Sequence, residues 1–374
     1  MKSKSRNKEY GYYIYMGIAE NLKQIISPNV YKKRIIRLLI NIDGLPVFNH
    51  SGEQLWPILI CVFDLEYESS PFMAAAFCGK SKPNLVDEYL QDFITEIKEL
   101  LRNSIDIEED HFIVEILGFV CDTPARAFLK CTKGHGGFYA CERCEVKGVS
   151  ITNRTGHKKR IYANINCKLR TRKSFKEQHQ KEHHNSKSPL LDIPRFDPVK
   201  DFFLDSMHLL YIGIMKILLE EWLFGRNRKT KISTNQREYL CKILSNLTIV
   251  PDDFQRKKFD LNDLSNWKTT QYRFFLHYSS VVCLHKILKK DVYEHFMLFY
   301  VAVRILCSSK LAITYLEYAK SLLRKFVYLF PSFYGQHSQN IVIHNPIHLV
   351  DDVEYANVEL SAISAFTFEN WVII

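Results

Sequence analysis

No stretch of this 374-residue chain approaches the roughly 18 uninterrupted apolar residues needed to cross a bilayer. The polar start, Met1 to Lys8, is followed by no apolar signal-peptide core. Neither a spanning helix nor export is expected. The GxGxxG, P-loop and HExxH patterns are also missing, which removes the usual sequence grounds for a dinucleotide, nucleotide or zinc-protease reading. Internal repeats are absent. Disulfides are not expected either: there are ten cysteines, but in a long chain with no export signal reduced thiols, some of them metal ligands, are the better reading. Only Cys141 and Cys144 are tightly spaced.

With 47% hydrophobic and 25% charged residues, the chain can bury a substantial core as one elaborated domain or two. A formal net charge of +10 favours a polyanionic partner, because each Lys or Arg placed on a phosphate releases condensed counterions.

Val30 to Asn41 leads into RIIRLLINIDG, an apolar stretch that predicts a buried strand carrying an acid, Asp43, at the sheet edge. LWPILICVFDL and FMAAAFCGK predict two more strands and so a three-stranded meander. Leu85 to Asn103 places Leu85, Tyr89, Leu90, Phe93, Ile97, Leu100 and Leu101 on one helical face. HFIVEILGFVCD predicts a further strand ending in Asp122, with Pro124 where a helix can begin. Three strands, a helix and a fourth strand, with acids closing the first and fourth, is the layout of an RNase H-like α/β fold: a mixed sheet with flanking helices. Residues 1–30 read as a basic lead-in, its first thirteen disordered or a short lead-in, and 31–146 as the first part of this core with the CxxC knuckle. Residues 147–199 read as a basic linker with little to add to a core, and 200–335 as a large, mainly α-helical insertion. Residues 336–374 read as the return to the core.

Three acids on separated apolar stretches, Asp43, Asp122 and Glu369, suggest a nuclease-like site. Carboxylates that converge can hold two Mg²⁺ or Mn²⁺ ions about 3.5–4 Å apart. A single Asp after a strand is more often a turn residue or helix cap, so this reading rests on the set. Glu354 and Glu359 are alternatives for the third acid. CERC puts Cys141 and Cys144 at zinc-knuckle spacing, and Cys131 and His135 just upstream would complete a Cys3His site, with His157 or Cys167 able to replace His135. His344 and His348 are four apart, but Pro346 between them argues against a helix and for a packed structural role. His179, His183 and His184 read as part of a solvated basic face. Lys158, Lys159, Arg160, Arg170, Arg172 and Lys173 read as phosphate contacts or a nuclear localisation signal.

The stretches DGLPVF, LWPILI, CGKSKP, CDTPARAFLKCTKGHGGFYACERC, FLDSMHLLYIGIMKILL and IHLVDDV follow one another in the order seen in one transposase family. From Ile42 to Asn370 the chain resembles the catalytic region of CACTA (En/Spm-type) DNA transposases and their domesticated relatives. The resemblance implies two-metal DNA cleavage and strand transfer at Asp43, Asp122 and Glu369, the last in the family's Phe-Glu-Asn context. It also implies a (C/D)xxH element at Asp205 and His208, nuclear localisation, transposon ends as the DNA partner and possible self-association. Membrane and small-molecule partners are not implied. No DNA-binding module precedes this core and the chain stops five residues after Glu369, so a truncated or domesticated copy is expected, with an inactive binding factor as the alternative.

Overall fold

The computed structural model describes residues 4–8, 11–47, 52–67, 69–152, 156–246 and 259–372. The chain divides into two compact units, Met1–Glu145 with Leu169–Phe203 and Ala365–Ile374, and Val146–Lys168 with Leu204–Ser364.

The first unit is built on a mixed sheet. Its strands are β1 (Lys4–Lys8), β2 (Gly11–Tyr15), β3 (Ile35–Ile42), β4 (Leu45–Pro46), β5 (Gln54–Val62), β6 (Phe72–Gly79), β7 (Ile105–Ile107) and β8 (Asp110–Cys121). A separate hairpin, β9 (Val149–Thr152) with β10 (Lys158–Ile161), belongs to the second unit, and β11 (Phe202–Leu204) closes the main sheet. The order is β1-β2-β6-β5-β3-β8-β11, with β4 on β5 and β7 on β8. β3, β5 and β6 form the expected antiparallel meander, and β8 runs parallel to β3. β3 and β5 are near-continuous apolar runs because both of their faces are covered.

Helix α1 (Ala19–Ile25) follows β2, and α2 (Val86–Asn103) matches the amphipathic helix expected from Leu85. Val86, Tyr89, Leu90, Phe93, Ile94, Ile97 and Leu100 of α2 are buried. Leu85 itself, expected on the apolar face, is exposed and lies just before the helix. Asp87 and Glu88 sit in the first turn, where the helix dipole favours acids.

Two expectations need correcting. The lead-in is ordered where it is described, residues 1–3 and 9–10 lying outside the described set. The alternating GYYIY pairs with β6, and Tyr13, Ile18 and Leu22 enter the core. Glu96 of α2 fixes this segment by accepting the Ile18 and Ala19 amides at 2.8 and 2.9 Å and the Tyr15 hydroxyl. The basic linker also supplies core: Leu190, Ile193 and Phe196 join the main cluster and Phe175 is buried. Their apolar side chains are too scattered among charges to register as a periodic pattern.

The second unit is mainly helical and extends to Ser364, so the return to the first unit spans only Ala365–Ile374. Helices Lys290–Leu306 and Leu316–Tyr334 pack along one another. Between them His295 stacks on Phe326 and Phe333, with ring centroids 4.7 and 4.6 Å away, and its Nε2 meets the Phe326 carbonyl at 3.0 Å. Burial pushes His295 down to about 4 from its ordinary 6.5. The unfolded chain therefore takes up a proton near pH 6.5 that the folded chain refuses until about pH 4, so the stabilising contribution is present above 6.5 and lost as pH falls towards 4. In His295→Phe, thermal melts between pH 7 and 4 are expected to fall less steeply than in the parent. An unchanged slope would contradict a neutral His295.

Gly118 of β8 marks a close approach within the sheet. A Cβ there would lie 2.5 Å from the Phe203 ring and 2.9 Å from the Asp201 carbonyl. Gly118→Ala is expected to lower unfolding free energy by about 1–3 kcal/mol in urea titrations, the cost of an overpacked core.

Candidate metal centre and acidic edge

Asp43 and Asp122 come to the same sheet edge through an irregularity in β8. The β3–β8 pairing passes from Leu38↔Ile116 to Leu39↔Gly118, so Leu117 is an extra residue. Side chains alternate along a strand, and a one-residue shift changes which of them share a face. Continued past Ile40↔Phe119, the shifted register sets Asp43 level with Asp122; unshifted, it would face Cys121. Asn41 ties the strand ends by donating from Nδ2 to the Val120 carbonyl at 2.7 Å. Burial raises the Cys121 thiol pKa, and Asp43 and Asp122 are among the charges that add to the effect.

Each acid also has a local partner. Asp43 Oδ1 accepts the Gly44 amide at 2.7 Å. Asp122 Oδ1 accepts the Ala125 amide at 2.6 Å and so caps helix α3 (Thr123–Leu129), with Pro124 in its first turn as expected. Glu369 lies on helix Phe366–Val372 and is exposed. Among the described residues, no three carboxylates come close enough to share an ion. Glu354 is exposed and Glu359 half-buried, both in the second unit.

The described residues do contain a buried Cys2His2 cluster. One ligand atom from each of Cys141, Cys144, His344 and His348 lies within 4.8 Å of the other three. The CERC turn has knuckle geometry: the Arg143 and Cys144 amides both point at Cys141 Sγ from 3.4 Å. The two sulfurs are 3.5 Å apart, too far for a disulfide at about 2.05 Å and near the roughly 3.7 Å that two thiolates subtend on a tetrahedral zinc. His344 ends the helical turn Ile341–His344, and a 3₁₀ turn, Asn345–His348, continues into helix Leu349–Ala356. Pro346 stands at the start of that tight turn, where the missing N–H is tolerated. The helical path survives, and the two rings lie 5.4 Å apart. Asp351 Oδ2 is 3.8 Å from His348 Nδ1, which favours Nε2 as the ligand atom. This set can hold a structural zinc.

The upstream pair expected at this site is elsewhere. Cys131 is buried in the apolar core of the first unit, and His135 is exposed in its loop. Cys167 has its thiol 3.8 Å from the Asn164 carbonyl, and His157 is exposed. Proximity in sequence to CERC was the only ground for all four.

No protein-family model and no curated protein matches this chain.

Asp205 and His208 are in contact, with His208 Nδ1 2.5 Å from Asp205 Oδ2. Asp205 is buried and also accepts the Met207 and His208 amides and the Ser364 hydroxyl. It thereby fixes the start of a π-helical segment, Met207–Met215, on which Tyr211 bonds His277 Nε2 at 2.9 Å. The basic candidates divide. Lys158 and Lys159 are exposed on β10, Arg160 bonds Ser150 at 2.7 Å, and Arg172 and Lys173 are exposed. Arg170 is instead buried, donating to the Cys141 carbonyl at 3.0 Å and to Gln180, so it supports the knuckle and is not a phosphate contact. His183 and His184 are also buried, against Phe175, and burial with Arg170 nearby pushes them down to about 3 and 4; only His179 is exposed.

Protein purified without chelator is expected to carry about one zinc per chain by elemental analysis, as a closed four-ligand site would. His344→Ala and Cys144→Ser should lose it, while Cys131→Ser and His135→Ala should keep it. The reverse pattern would restore the upstream ligand set.

Proposed function

We propose that this chain carries an RNase H-like, metal-dependent DNA-processing core of the CACTA transposase type. The observation that carries the reading is the placement of Asp43 and Asp122 at one edge of adjacent parallel strands. The β3-β5-β6 meander, the intervening α2 and the parallel β8 support the RNase H-like assignment. Asp43 and Asp122 would hold Mg²⁺ or Mn²⁺ as hard oxygen ligands, and Glu369 is proposed to complete the set from the helix that rejoins the first unit. A cation held there would activate an attacking water or 3′-hydroxyl and would stabilise the leaving oxygen. The chain's own part is to hold two carboxylates at a rigid strand edge, where little reorganisation is needed.

The buried Cys2His2 set, with no open position, is assigned a structural zinc. Lys158, Lys159, Arg172 and Lys173 are proposed as contacts to the phosphates of transposon-end DNA in the nucleus. No helix among the described residues is long and apolar enough to cross a membrane. A second reading, a transposase-derived DNA-binding protein that no longer cuts, is favoured by one observation: among the described residues, no group of three carboxylates has its oxygens within 4.8 Å of one another.

The deciding assay is Mn²⁺- or Mg²⁺-dependent nicking of supercoiled DNA. The core reading expects nicking that Asp43→Ala and Asp122→Ala each reduce by about 10³-fold or more, the scale of losing a metal-held nucleophile. Folded protein that retards DNA in a salt-sensitive way but never nicks it would select the second reading.

A further inference from the structure

The CERC turn reaches beyond its sulfurs. Its two inner residues are charged and buried, which is unusual for a turn and demands partners. Arg143 donates to the Val199 and Phe202 carbonyls, gripping the segment that leads into β11. Glu142 points towards α3: Oε1 accepts Arg126 Nε and Oε2 accepts Lys130 Nζ, both at 2.9 Å. Arg126 in turn donates from Nη1 to the Cys121 carbonyl at 2.6 Å and from Nη2 to Thr123 Oγ1 at 3.0 Å. Cys121 and Thr123 are the two neighbours of Asp122.

We propose that Arg126 is the positioning residue for the Asp122 carboxylate, and that Glu142 of the CERC turn sets Arg126. The inference rests on the acidic-edge reading for its functional meaning, but its geometry stands by itself. A guanidinium is a planar fork with fixed donor directions. Anchored on Glu142, it holds the residues on either side of Asp122 and so fixes where strand β8 ends and α3 begins. A Lys at this position would keep the charge but could not bridge three acceptors in different directions. Because the fork is buried, its hydrogen bonds act in a low dielectric and yield little to small displacements. The turn that carries two of the Cys2His2 ligands is thereby tied to the acidic edge through two side chains.

The Ala125 amide, bonded to Asp122 Oδ1, reports the placement. Hydrogen–deuterium exchange of residues 121–126 is compared with that of α2 in the wild type and in Glu142→Gln, Arg126→Lys and Thr123→Val. Thr123→Val removes a single acceptor at a half-buried site and leaves the buried charges in place, so it keeps the test open should the other two fail to fold. Glu142→Gln and Arg126→Lys are each expected to speed exchange over 121–126 by about tenfold, the loss of one charge-assisted hydrogen bond, and Thr123→Val by less. Exchange in α2 should not change. Equal acceleration across α2 would reduce the network to general stability and overturn the proposal, as would unchanged exchange at 121–126 in Thr123→Val. Exchange needs no cleavage: a protein that never nicks DNA but shows the local effect would refute the nuclease reading and leave this one standing.

Discussion

Glu142 is almost out of water, with a guanidinium on one carboxylate oxygen and an ammonium on the other. Burial alone would raise its pKa, yet Arg126 and Lys130 overcome that and hold it at about 2. Lys130 is also buried, its Nζ lying 5.6 and 5.3 Å from the Phe175 and Phe202 ring centroids, where the ring faces offset part of the lost hydration. Such a set is costly to bury and costlier to break, because removing one partner leaves an uncompensated charge in the interior. Everything that touches it is therefore fixed in place: the end of β8, the start of α3, the CERC turn and, through Arg143, the approach to β11.

Two local irregularities turn this frame into candidate sites. The extra residue in β8 sets Asp122 level with Asp43, at an edge where the chain must turn and its acids can face solvent. The Asn-Pro step after His344 tightens a helical path without ending it, and so keeps two imidazoles on one side. The two differ in burial. The Cys2His2 set is buried at all four residues and can hold a structural ion, whereas Asp43 and Asp122 are half-buried.

Strong local periodicity made much of the first unit legible in the sequence. RIIRLLINI, LWPILICV and HFIVEILGFVC became β3, β5 and β8, α2 began one residue after Leu85, and Pro124 opened a helix that Asp122 caps. Features set by tertiary partners were not legible. Glu142, Arg143 and Arg170 look like surface charges in a basic stretch, and only their buried acceptors explain them. Pro346 between His344 and His348 has the look of a helix breaker in the sequence, but the 3₁₀ turn absorbs it and keeps the two rings together. Cys131 attracted a ligand role through nearness to CERC, but a Cys among apolar neighbours is a small core residue.

A double-mutant cycle on Arg126 and Glu142 tests most directly whether this buried network is the anchor. Unfolding free energies would be measured for Arg126→Met, Glu142→Gln and the pair. The account expects each single change to cost about 3–5 kcal/mol and the double change to cost clearly less than their sum, because the second substitution removes the charge that the first leaves stranded. Additive costs would mean that the two side chains act independently, and the link from the CERC turn to the Asp122 edge would fail.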